Sequence, residues 1–382
     1  MAVASSARVG DDLARLVHRG GELAELTRGA GRVLGRVVPF DGICMLTLDP
    51  ATLLPTGEVV ENGLPPAATA RMSEIELCTD DVNSFRALAR SGRTAASLSE
   101  ATRGDLDRSL RHRELRRPNG FGDELRAVLA DGTGTWGALT LLRGDDGAPF
   151  TAADVTLVRS VAGGLADGVR RAILHRASRA RSDEAETDAP GILLLAGDNA
   201  LSAADAAGER WLDELAGAGT AAALPPVVSA VANRARAISA AGGGPTGVPA
   251  RARVRTASGT WLMVRGSALV DDRTARIAVT FDPIRPHELA PLIADAYGLT
   301  GRERAVTQLV ARGLSTDAIA RRLYVSPWTV QDYLKSIFEK AGVSTRGELI
   351  ARLFFEHYAP RLGEGRAPGS DDALHIEPRS GG

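Results

Sequence analysis

The chain has 382 residues with 46 basic and 47 acidic side chains, a formal net charge of −1. That length holds two or three domains, and the balanced charge excludes a polycation that coats nucleic acid. No run reaches the roughly 18 uninterrupted apolar residues of a membrane span, and residues 1–10 lack a basic start followed by an apolar core, so a cytoplasmic protein without a membrane partner is expected. Two cysteines, Cys44 and Cys78, are too few for a disulfide framework or a cysteine-only zinc site; both are expected as buried or half-buried thiols. The six histidines are scattered, so their spacing proposes neither a metal site nor a catalytic triad.

From about Asp11, apolar residues at Leu13, Leu16 and Val17, then Leu23, Leu26, Val33, Leu34 and Val37, follow helical spacing, with Gly20-Gly21 as a break. Pro39 to Gly42 turns the chain into a strand over 43–48, and Leu53 to Val60 supplies its hairpin partner. Helices are expected over 67–77 and 83–90. Two more strands, 124–129 and 136–143, flank a turn at Asp131 to Gly134, and a long helix capped at Thr151 carries Val155, Val158, Leu165 and Val169. Between them Arg103, Arg108, Arg111, Arg113, Arg116 and Arg117 form a basic run, either a solvated helix face or a holder for an acidic ligand.

Residues 176–190 are polar and mixed in charge and read as a linker. A short strand over 191–195 follows, then a turn at Gly197 to Asn199 and a helix over 204–215 with Trp211, Leu212 and Leu215 on one side. A helix over 227–238, a glycine-rich break, and strands over 250–256, 261–269 and 275–281 complete this part. Residues 284–291 connect it onward.

The next stretch carries the densest local signals. Thr300-Gly301-Arg302-Glu303 is a capping box, and Gly313-Leu314 stops the helix it opens. Ser315 caps a short helix to about Leu323, and Tyr324-Val325 turns into Ser326. Ser326 then caps a longer helix, with Pro327 where a missing N–H costs nothing and Gly342 as the left-handed stop. Val330, Leu334, Ile337, Phe338 and Ala341 fall on one face of it, while Gln331, Asp332, Lys335 and Glu339 fall on the other. A fourth helix, capped by Thr345 with Glu348 three residues on, carries Leu349, Ile350, Leu353 and Phe354. Two short helices joined by a three- or four-residue turn, the second apolar behind and polar in front, are the helix-turn-helix pattern.

On Leu299 to Arg304, Ala311 to Ser315, Ile319-Ala320, Leu323, Val325-Ser326, Thr329-Val330, Leu334, Ile337, Lys340 to Val343 and Arg346, the sequence resembles the DNA-binding domain of LuxR/GerE-type transcription regulators. It departs from the family at Thr316-Asp317 and at Gln331-Asp332-Tyr333, where two usual positive charges are absent. The resemblance implies double-stranded DNA as a partner, with Gln331, Asp332 and Lys335 facing the groove and Ser315, Thr316, Ser326 and Thr329 on the sugar-phosphate backbone. By their own chemistry Gln331 can pair with adenine, Lys335 with guanine or phosphate, and Asp332 can accept from cytosine or penalise wrong sites. Trp328 suits either the DNA backbone or local packing beside Tyr324. Tyr333 reads mainly as packing. Nine basic against six acidic side chains between Leu299 and Tyr358 leave about +3, a modest surplus that calls for two copies on a two-fold site. The resemblance places a homodimer seam on Leu349, Ile350 and Leu353; closing the four-helix core is the other use for them.

Trp136-Gly137-x-Leu139-x-Leu141 followed by Pro149-Phe150-Thr151-x-x-Asp154, at the end of an antiparallel sheet between a leading and a trailing helix, resembles GAF sensor domains. That implies a cavity between the sheet and the segments around Leu64 to His112, and no chromophore cysteine marks it. The strand, turn, helices and three-strand meander of the second part resemble a PAS domain, either ligand-holding or a dimerisation module. No spaced histidine or cysteine set marks a haem or flavin, so no cofactor is expected.

The expected fold class is therefore α+β and multidomain: a GAF-like domain over 11–177, a PAS-like domain over 191–283, an all-α helix-turn-helix domain over 296–358 and a disordered tail over 359–382. The expected function is a one-component transcription regulator whose N-terminal domains sense a small molecule or a protein. The alternative is a sensory or interaction protein whose helix-turn-helix unit no longer binds DNA. No phosphate loop, metalloprotease motif or nucleophile elbow is present, so neither an enzyme nor a catalytic residue is expected.

Overall fold

The computed structural model describes residues 2–175, 189–216, 224–242, 248–270, 275–284 and 292–355. Residues 176–188 of the expected linker, 285–291 of the expected connection and the whole expected tail lie outside the described residues. Two compact units divide the chain, Met1–Thr300 and Gly301–Gly382.

The first unit holds two five-stranded antiparallel sheets. The chain opens with helices α1 (Ala2–Arg19) and α2 (Leu23–Leu34). Gly20 and Gly21, at φ 68° and 133°, make the break between them, a backbone that a side chain would resist. The helix starts nine residues before the expected domain edge, and its Val9 is already buried. Strands β1 (Gly42–Leu48) and β2 (Pro55–Glu61) pair as a hairpin. Helices α3 (Thr69–Cys78) and α4 (Phe85–Ser91) follow, then β3 (Ala95–Ser97) and α5 (Leu98–Thr102). Strands β4 (Phe121–Asp131) and β5 (Gly134–Gly144) and helix α6 (Ala152–His175) complete the first part. The strand order is β2-β1-β5-β4-β3. The α6 cap is reciprocal: Asp154 N donates to Thr151 Oγ1 at 3.2 Å and Thr151 N to Asp154 Oδ2 at 2.8 Å.

The second sheet comprises β6 (Gly191–Leu195), β7 (Leu201–Ala204), β8 (Arg251–Arg255), β9 (Trp261–Val270) and β10 (Ala275–Pro283), in the order β7-β6-β10-β9-β8. Helices α7 (Ala206–Ala216) and α8 (Pro226–Ala240) lie between β7 and β8 in the chain. Two of the edge strands, β3 and β7, were absent from the sequence expectation. They are three and four residues long, too short for an alternation to register.

The apolar core of the second sheet reaches into the first part, whose Leu48, Phe85, Leu88, Ala96, Val128 and Ala138 form a separate cluster. Leu54, from the β1–β2 turn, is fully buried among Leu195, Trp211, Val231, Val254 and Phe281 of the second part. Arg253 of β8 clamps Asp49 with Nε at 3.0 Å and Nη2 at 2.7 Å, and its backbone N–H adds a third bond to the same carboxylate at 2.7 Å. Asn233 of α8 donates to Ser73 Oγ at 3.0 Å, and its carbonyl accepts from Cys78 Sγ at 3.3 Å. Cys78 is nevertheless exposed, which corrects the expected buried thiol; it sits in the last turn of α3, at the edge of this contact.

Among the described residues the second unit has four helices: α9 (Gly301–Ala311), α10 (Thr316–Leu323), α11 (Pro327–Ala341) and α12 (Arg346–Phe355). The first three begin and end within a residue or two of the expectation, and the fourth begins there, because local caps and glycine stops set these ends. Gly313 and Gly342 stand at φ 79° and 64°, and the N–H groups of Leu314 and Val343 close back to Leu309 and Phe338 carbonyls at 3.1 and 3.0 Å.

Candidate nucleic-acid interface and ligand cavity

Helix α11 turns Val330, Leu334, Ile337 and Ala341 into the core of its unit. Its opposite face carries Gln331, Asp332 and Lys335, all exposed, and none of these side chains hydrogen-bonds or ion-pairs with a described residue. At i, i+1 and i+4 they share one face of the helix. They are free to meet a partner.

The cap residues are built as the sequence requires. Ser315 Oγ accepts from Ala318 N at 3.3 Å, and Ser326 Oγ accepts from Thr329 N at 3.0 Å and shares a hydrogen bond with Thr329 Oγ1 at 2.8 Å. Ser315 and Ser326 are exposed and Thr329 is half-buried. Thr316 is half-buried and already accepts from Arg346 Nη2 at 3.3 Å, while Arg346 Nη1 holds the Leu314 carbonyl at 3.0 Å. Trp328 is 71% exposed, so the packing alternative does not hold for it; Tyr333 is half-buried. Tyr324, expected only as a turn residue, is 94% exposed and stands in the left-handed region at φ 55°. Two aromatic rings thus project from the turn and the first turn of α11.

Glu303 has a role that the sequence did not reveal. Beyond its place in the first turn of α9, its buried carboxylate accepts from Ser336 Oγ at 2.7 Å and from Lys340 Nζ at 2.8 and 2.6 Å. It ties α11 to α9 from behind, and no local pattern could have paired residues 33 and 37 positions apart. Arg352 Nη1 caps the far end of α11 through the carbonyls of Ala341 and Gly342 at 2.7 and 3.0 Å. On α12, Leu349 is 1% exposed and closes the four-helix core, Ile350 is half-buried, and the side chain of Leu353 lies outside the described residues.

The basic run of the first unit is divided by the structure. Arg103, Arg108, Arg113 and Arg117 are exposed, whereas Arg111 and Arg116 are buried. This corrects the expectation that treated the run as one group. Glu124 of β4 accepts from Arg111 Nε at 2.8 Å and Arg116 Nε at 3.1 Å, and Asp81 accepts from Arg111 Nη1 at 2.8 Å and Ser109 Oγ at 3.0 Å. Arg126, on the same strand as Glu124, donates to Glu76 Oε2 at 2.7 Å and to the Asn83 carbonyl at 2.9 Å, and lies 3.6 Å over the Phe85 ring. Burial would raise the Glu124 carboxyl; the guanidiniums of Arg111, Arg116 and Arg126 overcome it and hold the group well below the usual carboxylate range.

A cavity of about 100 Å³ lies against this network, between α3 and the sheet, within the region the sequence marked. Cys44 lines it, and burial, with Glu58 adding to the effect, pushes its thiol up to about 12. It is therefore a neutral, unreactive wall group at ordinary pH. A larger cavity, about 380 Å³, is lined by residues of α2, β2 and β8, but its Asp49 and Arg253 already satisfy each other.

A short helix, a left-handed turn and a second helix with a packed back and a free polar front define a helix-turn-helix of the DNA-binding class. The sequence model of the family described as "Bacterial regulatory proteins, luxR family" matches residues 298–353, and this part of the chain is a LuxR-family (GerE) helix-turn-helix domain. Similar proteins include the transcriptional regulatory protein DesR of Bacillus subtilis, 40% identical over 67 residues, 18% of this chain and 34% of that protein. The probable transcriptional regulatory protein NarL of Mycobacterium tuberculosis is 45% identical over 53 residues, 14% of this chain and 24% of that protein. A putative HTH-type transcriptional regulator of Mycobacterium bovis is 48% identical over 52 residues, 14% of this chain. The chain thus spans only 6% to 34% of the length of these relatives. Among solved structures, the GAF domain/HD domain protein from Geobacter sulfurreducens is 21% identical with a TM-score of 0.29, over 39% of this chain and 93% of that one. The VqsR LBD domain from Pseudomonas aeruginosa is 15% identical with a TM-score of 0.30, over 44% of this chain and 94% of that one.

Proposed function

We propose that the protein is a cytoplasmic, one-component transcription regulator that binds double-stranded DNA sequence-specifically as a homodimer. The observation that carries this reading is the free polar face of α11, with Gln331, Asp332 and Lys335 exposed and unpartnered among the described residues while the back of the helix is anchored through Glu303. Gln331 and Asp332 read base edges, Lys335 reaches a base or a phosphate, and Ser315, Thr316, Ser326, Trp328 and Thr329 hold the DNA backbone. Among the described residues no helix is long and apolar enough to cross a membrane, which fits a reading without a membrane partner. With Leu349 taken up by the core, the dimer seam on α12 rests on Ile350 and Leu353.

The same reading assigns sensing to the first unit: a GAF-like domain over 11–177 and a PAS-like domain over 191–283, supported by the common strand order of the two sheets. A small molecule there shifts the population of states in which two DNA-binding domains sit at operator spacing. Binding and sensing, not catalysis, are its roles, and it needs no cofactor or metal.

The test is selection of bound sequences from a random DNA pool by the full-length protein, followed by titration of the winner at two salt concentrations. A two-fold-symmetric site and a steep salt slope are expected. Lys335→Ala lowers that slope by about one if Lys335 meets phosphate, and Gln331→Ala costs about 1–3 kcal/mol at one base position only. Equal loss on every sequence from Gln331→Ala would remove its base-reading role, and no enrichment at all would leave the interaction-module reading.

A further inference from the structure

The cavity beneath α3 is walled by Leu46 of β1, Leu142 of β5, Met72 and Leu77 of α3, and Phe85. Arg116 also lines it, and Arg116 is incompletely used. Its Nε donates to Glu124, but neither of its terminal nitrogens has a hydrogen-bond partner among the described residues, although the residue is 4% exposed. Its neighbours differ. Arg111 spends all three nitrogens on Glu124, Asp81 and the Val82 carbonyl. Arg126, which also lines the cavity, uses both terminal nitrogens on Asn83 and Glu76 and leaves only its Nε without a hydrogen bond.

Three guanidiniums therefore face Asp81, Glu76 and Glu124, but Asp81 belongs to Arg111 and Glu124 is shared, which leaves Arg116 the least compensated cation. Burial pushes both Arg111 and Arg116 down; the carboxylates more than offset this for Arg111 and fail to do so for Arg116. The other titratable groups of the cavity wall are the Cys44 thiol, pushed up to about 12 by burial, Glu58 of the edge strand β2, whose carboxyl burial pushes up, and Glu76, which is held by Arg126.

We propose that this cavity binds a small, largely apolar molecule bearing one carboxylate, held by the terminal nitrogens of Arg116. A guanidinium offers parallel N–H groups that match the two oxygens of a carboxylate, and the apolar walls take the rest of the molecule. A dry cavity of about 150 Å³ accommodates benzene. A space of about 100 Å³ is smaller than that and suits a short-chain acid with fewer heavy atoms than benzene. Pro226 and Ser229 of α8 line the same cavity, and α3, its wall, is the helix bonded to Asn233. Occupancy therefore bears on the contact between the two sensor domains. The proposal rests on the sensing role assigned to the first unit.

The experiment uses the full-length protein with acetate and propionate as probes and their amides as neutral controls, read by calorimetry and by thermal unfolding. The acids are expected to bind and to raise the unfolding temperature, and the amides to bind at least about tenfold more weakly, the difference of a charge-assisted hydrogen bond. Arg116→Gln should abolish the preference for the acid. Cys44→Met, which fills the cavity and alters no charge, should abolish binding of acid and amide alike while the protein stays folded. Equal affinity for acid and amide, undiminished acid binding by either variant, or no binding by either acid would overturn the proposal. Acid binding that leaves operator affinity unchanged would uphold this site and remove the sensing role; a neutral effector that shifts operator affinity would do the reverse.

Discussion

The two sheets of the first unit run in the same strand order, yet their covered faces are built differently. In the second sheet α8 comes down on β9 with Val228, Val231, Ala232 and Ala235, all buried. Gly266 makes that approach possible, since a Cβ there would stand 2.5 Å from the Val231 carbonyl oxygen. In the first sheet Glu124 and Arg126 project from β4 toward α3, meet Arg111, Arg116, Asp81 and Glu76, and leave a cavity beside them. Strand order fixes the layers; the side chains on the covered face set whether a helix seats on the sheet or stands off over a space. Burying ion pairs returns little net stability, because desolvation offsets the attraction. What the network secures is a fixed position for Arg116 at the cavity wall.

The largest effect that would break this contrast is Glu124→Gln. It leaves Arg111 and Arg116 buried without their shared carboxylate and should cost about 3–5 kcal/mol, read as a lower urea midpoint. The same group sets an acid dependence. Its pKa is depressed in the folded state, so its contribution is complete above about pH 4.3, the value of an unfolded glutamate, and is lost as pH falls below that. Unfolding curves between about pH 5 and 3 should show this decline in the wild type and a flatter one in Glu124→Gln; parallel curves would remove the cluster as its source. Gly266→Ala tests the other sheet, where backbone opposes the added carbon. About 1–3 kcal/mol should be lost, and an unchanged midpoint would mean that α8 lifts off at little cost. The smallest effect belongs to Arg71→Ala. Arg71 reaches Glu114 at 2.8 Å and Glu74 at 2.7 Å, as short as the buried bonds, but both carboxylates are in solvent and the midpoint should hardly move.

Legibility in the sequence followed the range of the interactions. In the second unit, Ser315, Ser326, Gly313 and Gly342 act on residues close by in the chain, so these local signals alone place the four helices and their faces. The position of Gln331, Asp332 and Lys335 on one outward face came with them. The strands β1, β2, β4 and β5 were readable from alternation and turns, while β3 and β7 were too short to show it. The exposure of Trp328 and Tyr324 was not readable, because an aromatic residue in a turn has no periodicity to assign it to core or solvent.

By itself the sequence determined most of the elements in their order, the strand pairs β1–β2 and β4–β5, the three-strand meander β8–β10 and the helix-turn-helix with its polar front, because caps, glycine stops and two-residue or helical spacing act along the chain. Only the tertiary structure decided which members of the arginine run turn inward. That choice is made by Asp81, thirty residues before Arg111, and by Glu124 on a strand that follows, and an ion pair of this kind exists only once the sheet has formed. The same holds for Glu303 and Lys340 behind α11, and for Asp49 and Arg253 between the sheets. Charges separated along the chain find partners through folding, and with them the protein gains both the anchored helix α11 and a buried Arg116 held beside the cavity by its Nε alone.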